Sequence, residues 1–370
     1  MKAYRIAIIA LVAALNVLII MHPAVAMEAA RRGLSLWFNN VLPGILPFVI
    51  GANVLMALGA VSFLGLFLSP VMTKVFKISG RGGFALAMGL ISGYPIGTKI
   101  VCEMRARGEL EKGEAQRLLG FSNNAGPLFI LGAVAAGLFG APVFGYFLLV
   151  THYLGALAVG LVLRLFAKKD DAGSIAAKNP AVIAISKNSF GQILGQSVKN
   201  AMETMLIVGG FIVLFSVISA LLESTGVFGL VPFQSPYHPA IFGGIIEMTG
   251  GLGTLSDHGL SRAIATIAAA LLSFGGLSIL FQSINFIGKT DLRAGLYALC
   301  KLGHASASGL LAWLAYPLFS SAIENSQAAE VFAPTAARTF INSATFFIVA
   351  TAVLLAISIS IFVLKSTKRR

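Results

Sequence analysis

The chain has 370 residues, 57% of them hydrophobic and only 11% charged, a balance that excludes an ordinary soluble domain and points to an all-α, polytopic membrane protein. Its formal net charge of +13 would suggest nucleic acid in a soluble protein. Here the basic residues sit in short loops and at the C-terminus, as the positive-inside rule requires, so nucleic acid is excluded as a partner and the lipid bilayer takes its place.

No soluble block of domain size interrupts residues 1–370, which read as a single integral membrane domain. Lys2 and Arg5 precede an apolar run over 6–21, and Ala24-Val25-Ala26 resembles a signal-peptidase site. Residues 1–26 therefore read as a retained N-terminal helix, with a cleaved signal peptide as the alternative. A polar-faced stretch follows over 30–40, where Trp37 and Phe38 can anchor at headgroup level or simply belong to an amphipathic linker. Residues 43–68 return to the cytoplasm, where Lys74, Lys77 and Arg81 lie.

Three basic stretches fix the cytoplasmic side: 99–120, 164–188 and the tail ending Lys368-Arg369-Arg370. Both termini then lie inside, while 226–239 and 320–337, which lack Lys and Arg, lie outside. Segment 82–105 must begin and end inside, yet it is too short to cross twice at about 20 residues per crossing. It breaks at Ser92-Gly93-Tyr94-Pro95, which fits a re-entrant hairpin. A crossing broken at Ser122-Asn123-Asn124-Ala125-Gly126-Pro127 ends near 140, and a plain helix over 143–166 follows.

The second half repeats this order in the opposite sense. A polar-faced stretch over 188–202 leads to a helix over 205–222. Next come a hairpin over 239–259 broken at 247–253, a crossing over 261–288 broken at 273–278, and a helix over 292–319. An extra C-terminal helix covers 339–364. The expected architecture is an inverted repeat of helix, re-entrant hairpin, broken helix and helix, over 41–166 and 203–319. It has about 8 crossings plus 2 hairpins. Residues 85–92 lay over 240–247, and 118–122 over 271–275, at offsets of 155 and 153. Arg31, Arg32 and Arg262 fall on the outer side in this scheme.

Backbone leaves helical hydrogen bonding inside a bilayer only where it is buried in protein or lines a cavity, so the four breaks locate a substrate site. Its expected members are Ser92, Gly93, Tyr94, Pro95, Thr98, Lys99, Ser122, Asn123, Asn124 and Gly126 from one half. Glu247, Thr249, Gly250, Ser273, Gly275, Gly276, Ser278 and Gln282 come from the other. Glu247 is the sharpest of them, because an acid inside an apolar segment is functional by default, as proton carrier, cation ligand or partner to a substrate group. Lys99 reads as an anion contact or as an ordinary positive-inside residue. His304 lies on a polar face of the penultimate helix, in the bundle or on a proton path, and His238 and His258 bracket the second hairpin. Cys102 and Cys300 lack ligand spacing and read as structural, with no metal site. No HExxH, GxSxG, P-loop or paired-carboxylate pattern is present, so an enzyme is not expected.

Three stretches carry a resemblance: Ser92 through Lys99, the Glu-Ala-Gln-Arg of 114–117, and Phe121 through Phe129. The motifs at 247–251 and 273–278 add to it. They resemble the sporulation integral membrane protein family known as YlbJ or SpoVV, whose members carry a nucleoside-transporter gate domain, and the likeness covers about 41–319. The resemblance implies a fold similar to concentrative nucleoside transporters, in the bacterial cell membrane. It also implies movement of dipicolinate across the outer forespore membrane during sporulation. The leading expectation is a secondary transporter of a small polar or anionic solute working by alternating access, with no cofactor and with H⁺ or Na⁺ as coupling ion. The alternatives are a non-transporting scaffold in spore or envelope assembly and a nucleoside-type transporter. A homo-oligomer is compatible with each.

Overall fold

Prolines, glycines and capping side chains set the helix ends of this chain. The computed structural model describes residues 2–59, 67–167, 188–230 and 235–329, and among them there are helices and turns but no strand. α1 (Lys2–Met21) and α2 (Pro23–Leu36) meet at a bend of 103°, with Pro23 in the first turn of α2. A π-helical turn, Trp37–Val41, leads into α3 (Leu42–Ala57). α4 (Gly82–Ser92) and α5 (Ile96–Ala106) pack on each other as a hairpin. Gly93 at its tip has φ 81°, a conformation open to glycine and strained for other residues, and the Tyr94-Pro95 peptide is cis.

α6 (Lys112–Leu119) opens with a capping box between Glu111 and Glu114. The chain leaves helical bonding after it and resumes in a π-helical segment, Phe129–Leu138. α7 (Pro142–Arg164) follows. α8 (Phe190–Ser224), opened by the Ser189–Gln192 capping box, runs unbroken for 35 residues. The second hairpin is α9 (His238–Ile246) and α10 (Met248–Ser256), separated by Glu247 alone. α11 (Arg262–Phe274) and α12 (Gly276–Ile287) are parted by left-handed Gly275, and α13 (Ala294–Ala329) is the last described helix.

Among the described residues four helices are long and apolar enough to cross a membrane, or five if α1 and α2 form one bent span. They include α7, α8, α11 with α12, and α13 to Ile323. Leu310, Leu314 and Leu318, one helical face of α13, are exposed, as are Leu161 and Val162 on α7 and Leu165 just after it. These side chains suit a lipid surface.

Several expected boundaries shift. The polar-faced stretch over 188–202 and the helix after it are one continuous helix, because nothing between Phe190 and Ser224 removes a backbone donor. The breaks at 247–253 and 273–278 shrink to Glu247 and Gly275, since Thr249, Gly250, Ser273 and Ser278 all lie within helices. Helix α13 extends through 320–329, where a loop was expected. The extra helix over 339–364 lies outside the described residues. Arg262 has a partner on α13: its guanidinium lies 3.9 Å from the centre of the Trp313 ring, and its Nε donates to the Trp313 carbonyl at 2.8 Å.

Helices α7, α11 and α13 pack mutually, with Ala265, Ala268 and Ala269 buried on α11. The first hairpin closes around the first break at two glycines. A Cβ on Gly89 or Gly97 would run into the Ser122 carbonyl, which projects between α4 and α5. At one end of the bundle Arg105 donates two 3.0 Å hydrogen bonds to Asp291, and Lys112 stands 3.5 Å from the same carboxylate. Gln116 donates to the Arg293 carbonyl at 3.2 Å and accepts from its amide at 2.7 Å. The Arg105 guanidinium holds the Asp291 carboxyl down at about 2.

Two measurements check this packing. Gly97→Ala is expected to cost at least about 1–3 kcal/mol, because the new methyl meets backbone that cannot yield. Gly210→Ala, with open space around it, should leave the melting midpoint in detergent unchanged. For Asp291 the folded-state value lies below the ordinary carboxylate value of about 4, so its stabilising contribution is present above that pH and lost on acidification toward about 2. A melting profile between those limits should therefore fall less steeply in Asp291→Asn than in the wild type. The pair is exposed, so the difference is small.

Candidate functional site

The two hairpin tips, the first break and α12 converge on one cavity of about 390 Å³, a size typical of small-molecule sites. Ser92, Gly93 and Tyr94 reach it from the first tip, and Ala125 and Gly126 from the first break. Glu247, Met248 and Thr249 come from the second tip, and Ser278 and Gln282 from α12. Phe48, Phe129, Val208 and Ile212 supply apolar wall. Each tip meets its break on a glycine: a Cβ on Gly93 would lie 2.8 Å from the Gly126 nitrogen, and one on Gly276 would lie 3.0 Å from that of Met248.

Two polar groups on the wall differ in their occupancy. The Ser92 hydroxyl is buried with no hydrogen-bond partner. Glu247 caps α10 instead: its carboxylate accepts from the Thr249 amide at 3.1 Å and the Gly250 amide at 2.7 Å. That placement spreads its charge over the positive end of a helix. Gln282 donates to Ser278 at 3.2 Å.

Eight of the residues expected from sequence thus line the cavity: Ser92, Gly93, Tyr94, Gly126, Glu247, Thr249, Ser278 and Gln282. The others do not, and most have a different task. Gly250 supplies an amide to Glu247, Gly275 and Gly276 make the turn, and Pro95 follows the cis peptide. The Ser122 carbonyl sits between the two glycines of the hairpin. Asn124 donates to the Phe121 carbonyl at 2.9 Å. Lys99 is buried on α5, 3.7 Å from Glu103 and away from the cavity.

Asn123, Thr98 and Ser273 belong to a buried polar network behind Tyr94. Asn123 accepts from the Thr98 amide at 3.4 Å and donates to Tyr297 at 2.6 Å and to Ser283 at 3.1 Å. Tyr297 in turn donates to Ser283 at 3.0 Å. Lys301, on α13 and 1% exposed, donates to the Asn123 carbonyl at 3.1 Å and lies 3.2 Å from His304 Nδ1. Its ammonium also stands 5.0 Å from the centre of the Tyr94 ring. His304 Nε2 donates to the His152 carbonyl at 2.8 Å. His152 Nε2 accepts from the Ala125 amide at 2.9 Å, which leaves Nδ1–H to donate to Ser273 at 2.8 Å. Lys301, His152, Tyr297 and Ser283 were not anticipated. One signal was available, a lysine inside an apolar helix three residues before a histidine, hence on the same face.

No family model matches the chain, and no solved structure matches it significantly. It is 35% identical over 336 residues to the sporulation integral membrane protein YlbJ of Bacillus subtilis (strain 168), an alignment covering 83% of this chain and 82% of that one. The chain belongs to the YlbJ family and is a multi-pass integral membrane protein.

The polar network makes Asn123 the most sensitive side chain near the cavity. Asn123→Leu strands the Thr98 amide and removes a donor from Tyr297 and Ser283, at an expected cost of about 2–4 kcal/mol. Ser306→Ala, which removes an exposed hydroxyl, should stay within about 0.5 kcal/mol. Melting midpoints of the two purified variants check the contrast.

Proposed function

We propose that this protein is a secondary transporter that moves a small anionic solute across a membrane by alternating access. The solute is dipicolinate and the membrane is the outer one around the forespore. The observation that carries the reading is the cavity itself, walled by two hairpin tips, a break and α12, with Ser92, Glu247, Thr249, Ser278 and Gln282 among its lining residues. Apolar walls with a few convergent polar groups suit a small planar solute. Lys301 supports an anion: it places a positive charge behind Tyr94, and no carboxylate pairs with it among the described residues. Glu247 carries the opposing charge, and two amides engage it.

Residues 41–166 and 203–319 form an inverted repeat of about 8 crossings and 2 hairpins in total, counting the segments that flank it. The hairpins enter from opposite faces, and the termini lie in the cytoplasm. The shared order of hairpin, break and closing helix supports this arrangement, as does the glycine contact at each tip. The solute passes without covalent chemistry. The kinship with the sporulation protein of Bacillus subtilis supports the link to sporulation. A scaffold would have no use for two hairpin tips that meet at a cavity, and a nucleoside would leave the Lys301 charge unanswered.

Uptake of labelled dipicolinate by purified protein in lipid vesicles tests the reading. Saturable accumulation is expected in the wild type. Glu247→Gln, which keeps the shape and one acceptor oxygen, should lower uptake at least about tenfold without loss of folded protein. Absence of wild-type uptake would overturn the assignment of solute, and full uptake by Glu247→Gln would remove that charge from the mechanism.

A further inference from the structure

A broken helix exposes backbone carbonyls at its first half's end, and in membrane transporters such ends coordinate the coupling cation. In this chain the first break follows α6, and three of its carbonyls can be followed. The Phe121 carbonyl accepts from Asn124, and that of Ser122 is wedged between Gly89 and Gly97. The Asn123 carbonyl accepts from Lys301, a side chain that arrives from α13.

The surroundings of Lys301 Nζ specify its protonation. His304 Nε2 holds a proton, because it donates to the His152 carbonyl. In a neutral His304 ring Nδ1 is then a bare acceptor, and Lys301 is the donor in their 3.2 Å contact. A second N–H goes to the Asn123 carbonyl, and the third direction faces the ring of Tyr94. A neutral amine would turn its lone pair toward the electron-rich ring, whereas an ammonium meets three acceptors with three donors. Lys301 has the coordination of a bound monovalent cation.

We propose that Lys301 is a tethered cation: its ammonium fills the carbonyl end of the first break, where a free coupling ion would otherwise bind, so transport does not depend on Na⁺. This deepens the transporter reading and rests on it for its functional meaning. A free ion binds and leaves with each cycle, but a covalently held ammonium cannot leave. It keeps the site positive for an anionic solute on the other side of Tyr94. Removing the side chain should uncover a small-cation site formed by the Asn123 carbonyl and His304 Nδ1.

Thermal melting of the purified protein and vesicle uptake together test this. The wild type should melt at the same temperature in NaCl as in choline chloride, and a Na⁺ gradient should not change its dipicolinate uptake. Lys301→Ala should melt lower and lose uptake at least about tenfold. Methylammonium should restore both, and the larger tetramethylammonium neither. A wild type stabilised or driven by Na⁺ overturns the proposal, as does a Lys301→Ala protein indifferent to every small cation. Should that variant fail to fold, the wild-type Na⁺ comparison still decides, and Lys301→Met, which keeps most of the volume without the charge, should fold and lose uptake by the same factor, full uptake by it overturning the proposal. Wild-type vesicles that take up no dipicolinate would overturn the solute assignment alone, because the melting measurements need no solute.

Discussion

An interrupted helix in apolar surroundings leaves amides and carbonyls that no water can satisfy, and the interior of this protein is organised around answering them. Glu247 takes the amides of Thr249 and Gly250, and His152 takes that of Ala125. Lys301 takes the carbonyl of Asn123, and the Tyr94 hydroxyl takes that of Leu272. Each answer comes from a side chain that would be costly in lipid if it stood alone. The polar residues and the breaks are thus one feature: neither is stable without the other, and the cavity is the space left between them.

The breaks were legible because helix breakers and polar residues coincide in sequences such as Ser92-Gly93-Tyr94-Pro95, which also gave the hairpins and eight cavity residues. Their extent was overstated, since a glycine-rich run can remain helical when its amides are capped. Gly250 and Gly251 do so in α10 behind Glu247. The residues that complete the site stayed hidden for a different reason. Lys301 and His152 lie in continuous helices, and their partners are 178 and 121 residues away along the chain. Local pattern marks where a helix stops, but not which distant side chain meets the exposed end.

Charge follows the same logic. Glu247 stands at the amide end of α10, and Lys301 stands at a carbonyl released after α6, so each has the sign that its backbone dipoles favour. Neither needs the other as a partner, and no ion pair joins them. Two opposite charges can therefore persist around one cavity without closing it, which a direct salt bridge would do.

Rigidity is unevenly distributed as a result. The helix after each break serves the other one: α7 carries His152 to Ser273 at the end of α11, and α13 carries Lys301 to Asn123. With α11 packed against them, α7 and α13 form a block held by buried hydrogen bonds whose loss leaves stranded polar groups. The hairpin tips rest on their breaks through glycine contacts, with the Tyr94 hydroxyl bond to Leu272 at one of them. The first hairpin is also held by the Thr98 amide bond to Asn123, by the Tyr153 hydroxyl on the Leu90 carbonyl and by buried Phe84, Ile100 and Met104, besides the exposed Arg105–Asp291 pair. Separating α7 from α13 would strand the His304–His152 bond and the Lys301 ammonium, whereas the second hairpin rests on its break through a glycine contact. Lys301 is therefore on that block and Glu247 is at a hairpin tip, so the two charges of the site stand on different parts of the fold.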